Sequence, residues 1–434
     1  MSEEGSKLYE ELKVKIEDLK HEGTEIQNFT DYWRFICNSK YKAIDTKYQY
    51  DQTSREFVEE HKEQLNKMRD EFLDNLDFYV EKCIKVMTEK NHFKVYYAKT
   101  NQEAQDLFIK ELGDNKVLYK SKSLEALDIG IIERLKKENI LIKETDLGDI
   151  LFELFDVKEP VFALAKGIQY TEKQIAEQIK LKYGVELEPT SEAIVDFFRT
   201  TYRKELFNDV KVCLTSANAI SADDGTIFLT ENEGNISIIT RSTDKHIVVV
   251  GITKIVPTVF DALLVAKTQQ RMLNLEGAYI SLISAPSNTS DVQLKRVFGM
   301  YGAKEVVVIF VDDWRKRALK DDLFYKDFLK CIGCKSCGFS CTASRAYGNI
   351  FGSKYNLGGT GILREYIHKG IESAVRDGLF LCTSCESCKI WCPMEINMSE
   401  ILRQLKREAT QKGYCPPPLE AYQEKILKNK NPFN

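Results

Sequence analysis

Two stretches in the last quarter of the 434-residue chain repeat one cysteine spacing. The first runs Cys331-Ile332-Gly333-Cys334-Lys335-Ser336-Cys337-Gly338-Phe339-Ser340-Cys341. The second runs Cys382-Thr383-Ser384-Cys385-Glu386-Ser387-Cys388-Lys389-Ile390-Trp391-Cys392, followed by Pro393. Both read C-x2-C-x2-C-x3-C, the ligand spacing of paired [4Fe–4S] clusters. Three cysteines two residues apart wrap three corners of one cube, and the fourth corner must come from elsewhere. In two-cluster proteins the fourth cysteine of each run crosses to the other cluster. That rule assigns Cys331, Cys334, Cys337 and Cys392 to one cluster, and Cys341, Cys382, Cys385 and Cys388 to the other. The competing reading is structural zinc, which also uses C-x2-C pairs. Zinc needs two such pairs rather than two quartets, and no histidine lies inside either run.

The other four cysteines are Cys37, Cys83, Cys213 and Cys415. Each is expected to be a buried, inert thiol, with Cys415 set apart by its place near the runs and before three prolines. A net charge of −4 gives no basic field for nucleic acid. No apolar run approaches the roughly 20 residues of a membrane helix. The acidic start, MSEEGSKLYEELK, does not read as a secretory signal. A cytoplasmic protein is expected, at most peripheral to the inner face of the membrane through partners.

The hydrophobic pattern predicts an α/β chain in three parts. Residues 1–90 are expected to be helical. Leu65, Met68, Phe72, Leu76, Tyr79 and Cys83 share one face of a helix spanning Phe57 to Lys90. Residues 91–312 alternate short β-rich runs with helical stretches, the pattern of a parallel sheet flanked by helices. Among the strands expected here are Val161–Leu164 and Ile236–Thr240. Residues 313–434 form the cysteine-rich part. The 40 residues between Cys341 and Cys382 are expected to hold a Gly-rich loop and then a helix over Ile362–Asp377. A capped helix follows from Asn397, ended by Gly413 and Pro416–Pro418. Helices between and after the runs point to an α-helical ferredoxin domain.

The chain carries no G-x-G-x-x-G fingerprint and no P-loop. Small polar residues gather instead at predicted strand ends, where open α/β sheets bind ligands. Lys122, Thr215, Asn218, Glu231, Asn232, Asn235, Lys254 and Thr258 are the candidate substrate residues. Lys122 or Lys254 would hold a carboxylate or phosphate. Turn chemistry and helix capping are the competing reading for each. No catalytic residue is assigned.

Ordered motifs give these parts a family resemblance. They are Lys120-Ser-Lys-Ser123, Glu144-Thr-Asp-Leu-Gly148, Thr215-Ser-Ala-Asn-Ala219, Glu231-Asn-Glu-Gly-Asn235, the run His246–Thr258 and Ala285–Asp291, followed by the two cysteine quartets. In these the chain resembles the lactate-utilization iron–sulfur protein B family over about residues 60 to 415. The resemblance implies a NagB/RpiA/CoA-transferase-like LUD domain and an oxidoreductase subunit that is not active alone. It implies a multiprotein complex oxidising L-lactate, or a similar 2-hydroxy acid, to pyruvate. A separate subunit with Cys-Cys-Gly motifs and a smaller LUD-domain subunit are the implied partners. Near residues 160–171 the family tends to carry histidines, where this chain has Phe162 and Gln169. An electron-transfer or scaffold subunit of a heterodisulfide-reductase-like complex, with another donor, remains the alternative.

Overall fold

A computed structural model describes residues 3–19, 52–156, 167, 170–273 and 279–431. The chain divides into two compact units. One holds the described residues of Tyr48–Lys158 and Lys166–Cys334, the other those of Met1–Lys47 and Lys335–Asn434. The three-part division expected from the sequence is therefore cut differently. Helix Glu3–Leu19 goes with the cysteine-rich tail, and the helices Gln52–Asp74 and Leu76–Glu89 go with the α/β unit.

The α/β unit contains strands β1 (Lys94–Ala98), β2 (Val117–Lys120), β3 (Leu141–Glu144), β4 (Val212–Thr215), β5 (Ala219–Ser221) and β6 (Ile227–Glu231). They continue with β7 (Lys245–Gly251), β8 (Ile255–Val256), β9 (Tyr279–Ile283), β10 (Asn288–Thr289), β11 (Val297–Phe298) and β12 (Glu305–Val311). Six of them form a sheet in the order β1-β12-β7-β4-β2-β3, with every neighbouring pair parallel. A second sheet, β8-β5-β6-β9, is mostly antiparallel.

The two central strands, β7 and β12, are almost continuously apolar because both of their faces are covered. Alternate residues serve opposite cores. Val248, Val250, Val306, Val308 and Phe310 pack on one side, and Ile247, Val249, Val307, Ile309 and Val311 on the other. The first core is closed by Leu76, Tyr79, Val80, Cys83 and Met87 of helix Leu76–Glu89. The second is closed by Ala104, Phe108 and Leu112 of helix Asn101–Leu112, with Ile131 and Leu135 of helix Ile131–Lys137. The apolar face expected over Leu65 to Cys83 is buried at every one of its six positions. The helix itself is broken at Asn75, between two shorter helices.

Three expectations are corrected. Ile236–Thr240 is not a strand but part of helix Asn235–Ser242. Its β-branched run misleads, while Glu231 accepts from the backbone N–H of Ser237 and satisfies the helix's first turn. Ile362–Asp377 is interrupted at Gly370, with φ 87°, giving helices Gly359–Lys369 and Ile371–Arg376. The triple proline starts a helix, Pro417–Asn429, as well as following one, because proline suits the first helical turn. The expected strand Val161–Leu164 lies outside the described residues.

In the second unit, helix Met398–Gln411 buries Ile401, Leu402, Leu405 and Ala409, and Asn397 caps its N-terminus through Glu400 N–H. Helix Glu3–Leu19 docks within this unit. Arg376 Nε donates to Glu11 Oε2 at 2.8 Å, and Lys15 Nζ to Asp377 Oδ1 at 3.2 Å.

Candidate functional site

The two cysteine runs have the same backbone. A 3-10 turn, Lys326–Lys330 or Leu379–Leu381, delivers the first cysteine of each. The second residue after it is left-handed, Gly333 at φ 78° and Ser384 at φ 56°. The residue after the second cysteine is left-handed again, Lys335 at φ 64° and Glu386 at φ 62°. A short helix, Ser336–Phe339 or Ser387–Ile390, then carries the third cysteine. Left-handed residues set among right-handed ones curl the chain so that successive N–H groups face one concavity, a cradle for anionic atoms.

The cysteine-rich unit contains Cys337, Cys341 and the whole second run. Cys341 begins helix Thr342–Tyr347 and accepts from Ser344 N–H at 3.5 Å. The Thr342 hydroxyl lies 3.8 Å from Cys385 Sγ, and Ser387 Oγ donates to Ser340 O at 3.1 Å. The end of the first run thus meets the second. Cys382 Sγ accepts from Ser384 N–H at 3.4 Å, and Lys406 Nζ donates to Cys382 O at 2.6 Å. Burial pushes the Cys388 thiol up to about 12, reinforced by repulsion from Cys341, Cys382 and Cys385. Cys385 is held below the usual thiol range, chiefly by the Ser387 backbone N–H.

These residues fit iron–sulfur chemistry. None of the described cysteines is in a disulfide. Thiolates at Cys341, Cys382 and Cys385 would each repel one at Cys388, and a cationic core among them would relieve that repulsion.

The α/β unit contains Cys331 and Cys334. The buried Arg69 guanidinium donates to Leu329 O at 2.7 Å and to Ile255 O at 3.1 Å. Gln269 donates to Ile332 O and accepts from Asn218 Nδ2. Lys254 Nζ sits against Gly333, 3.1 Å from where a Cβ would stand. Two of the candidate substrate residues, Asn218 and Lys254, therefore lie beside the first cysteine run.

A second polar cluster occupies the carboxyl ends of β2 and β3. Lys120 Nζ and Glu144 Oε2 form a buried pair at 2.6 Å. Thr145 Oγ1 donates to Lys120 O and accepts from Asn235 Nδ2. Lys122 lies 3.5 Å from Asp146, and Glu233 accepts from Leu147 N–H at 3.1 Å. Burial pushes Glu153 and Glu233 each up to about 7, helped by Glu144 and Asp146 respectively. Sequence reasoning chose Lys122 and Asn235 here and missed Lys120, Glu144, Glu153 and Glu233. The Lys120–Ser123, Glu144–Gly148 and Glu231–Asn235 motifs contained three of the four.

The remaining candidates hold the fold locally. Thr215 bonds the buried His246 ring at 2.7 Å, Glu231 caps Ser237, and Thr258 caps its helix with Asp261. Asn232 is exposed. Cys83, Cys213 and Cys415 are buried, while Cys37, Phe162 and Gln169 lie outside the described residues.

An α/β unit joined to two cysteine cradles defines an iron–sulfur electron-transport protein. Residues 80–311 match the LUD domain and residues 327–396 the 4Fe-4S dicluster domain, and the chain belongs to the LUD domain family. An uncharacterized electron transport protein, YkgF, of Escherichia coli K12 is 28% identical over 360 residues, covering 82% of this chain and 73% of its own. Lactate utilization protein B of Bacillus subtilis is 27% identical over 366 residues, covering 82% and 73%. The protein of that name from Macrococcus caseolyticus is 26% identical over 367 residues, covering 83% and 74%.

Proposed function

We propose that this chain is the iron–sulfur subunit of a multiprotein complex that oxidises L-lactate, or a similar 2-hydroxy acid, to pyruvate. It would hold two [4Fe–4S] clusters, one on Cys331, Cys334, Cys337 and Cys392, the other on Cys341, Cys382, Cys385 and Cys388. The reading rests above all on the repeated backbone of the two runs, which presents the same cradle twice. Relatives named for lactate utilization support the substrate.

Each cluster supplies a one-electron carrier. Oxidising a 2-hydroxy acid to a 2-oxo acid releases two electrons and two protons, so a pair of one-electron carriers suits the count. The chain's own residues have simpler tasks. The cysteines bind, and the left-handed turns aim N–H groups at sulfur. The Lys120–Glu144 cluster, with two carboxyls poised near neutrality, is the place in the α/β unit suited to holding a proton. The hydride or electron-pair acceptor would reside in a partner, with a Cys-Cys-Gly subunit and a smaller LUD-domain subunit as candidates. Among the described residues no helix is long and apolar enough to cross a membrane. We place the complex in the cytoplasm, reaching the membrane's inner face only through partners.

The test is anaerobic co-purification with neighbouring gene products, iron analysis, and EPR during addition of hydroxy acids. Lactate should produce a reduced-cluster signal in the complex and none in the isolated chain. A complex whose clusters stay oxidised with lactate but accept electrons from another donor would replace this reading with that of an electron-transfer subunit in a heterodisulfide-reductase-like assembly.

A further inference from the structure

The α/β unit brings two cations to its own part of the first cysteine run. Arg69 is 1% exposed and clamps the backbone just before Cys331 through Leu329 O. Its Nε has no hydrogen-bond acceptor among the described residues. Lys254 arrives from the turn between β7 and β8 and places its ammonium at Gly333, between Cys331 and Cys334. The neighbouring carboxylate, Asp70, is half exposed and already paired with Lys330 at 2.5 Å. Gln269 holds Ile332 in the same place without charge.

A backbone clamp needs no buried guanidinium, since Gln269 does the same work with an amide. A buried cation is costly unless another charge answers it, and burial acts to lower Arg69, opposed foremost by Cys331. A thiolate-bound cluster on Cys331 would answer that charge, beside the partial contribution of Asp70. One-electron reduction adds a negative charge to such a cluster, and a fixed cation nearby favours the reduced state.

We propose that Arg69 and Lys254 are positioning residues that raise the reduction potential of the cluster held by the first cysteine run. The inference depends on the two-cluster reading above. Lys254 is the better probe, because it is half-buried and its replacement leaves the Arg69 clamp intact.

The experiment is an EPR-monitored redox titration of the anaerobically purified full chain. Lys254→Gln should weaken electron affinity at one cluster about tenfold, which for a one-electron couple is ~59 mV lower. The other midpoint should stay fixed, and Lys254→Arg should restore the first. Lys406→Gln, which removes the cation at Cys382, should move the other midpoint instead. Two intact clusters with midpoints unmoved by Lys254→Gln would overturn this inference and leave the proposed function standing. A chain that binds no cluster would overturn both.

Discussion

The cysteine runs and the lysine–carboxylate cluster at the ends of β2 and β3 both crowd together polar groups that repel or resist burial. They do so by opposite means. Each run is nearly a local object, its sulfurs aimed by two left-handed residues within seven positions. The other cluster is assembled from residues 120 to 235 by the parallel pairing of β2 with β3 and the return of helix Asn235–Ser242. Local geometry can be written as a spacing. Geometry made by a sheet depends on register, and no short motif records it.

The largest expected effect separates the two directly. Cys382→Ala should cut bound iron from about eight to about four atoms per chain, read by iron analysis and absorbance. Its urea midpoint in the α/β unit, followed by fluorescence, should stay near the parent's. An equal loss of iron and of α/β stability would erase the contrast.

Next comes the Lys120–Glu144 pair. Lys120→Met leaves a carboxylate buried without its partner and should cost about 3–5 kcal/mol by urea denaturation, with the iron content unchanged. Pairing it with Glu144→Leu should recover most of that loss. A small cost for the single variant would mean that water reaches the pair.

The pH dependence is smaller and has a definite sign. Glu153 and Glu233 rise from an ordinary value of 4.5 to about 7 in the folded chain. Between those values the folded state binds more protons than the unfolded one, so stability falls as pH rises through that window. Denaturation midpoints from pH 5 to 7.5 should show the decline, and Glu153→Gln with Glu233→Gln should flatten it.

The finest effect is at the left-handed turns. Ser384→Gly should stabilise the unit by about 1 kcal/mol, because a Cβ is disfavoured at positive φ. Gly333→Ala should destabilise by a similar amount and also crowd Lys254. Opposite shifts in thermal melts, the larger at Gly333, would support one turn design used twice.

The same contrast explains what the sequence disclosed. The cysteine spacing, the buried face from Leu65 to Cys83 and the apolar strands β7 and β12 are short-range patterns, and they are present in the structure. Ile236–Thr240 was misread because its β-branched residues carry a strand signal that the Glu231 cap overrides. Lys254 and Asn218 looked like substrate ligands at a strand end. Only the fold shows that this end receives Ile332 and Gly333 of the cysteine run.

Helix Glu3–Leu19 has a consequence for how the protein is made. Its ion pairs to Arg376 and Asp377 span 365 and 362 residues. At about 5–20 residues per second, the ribosome needs roughly 20–70 s to deliver those partners. Through that interval Glu11 and Lys15 lack these partners. The N-terminal helix is thus among the first elements made and among the last to dock.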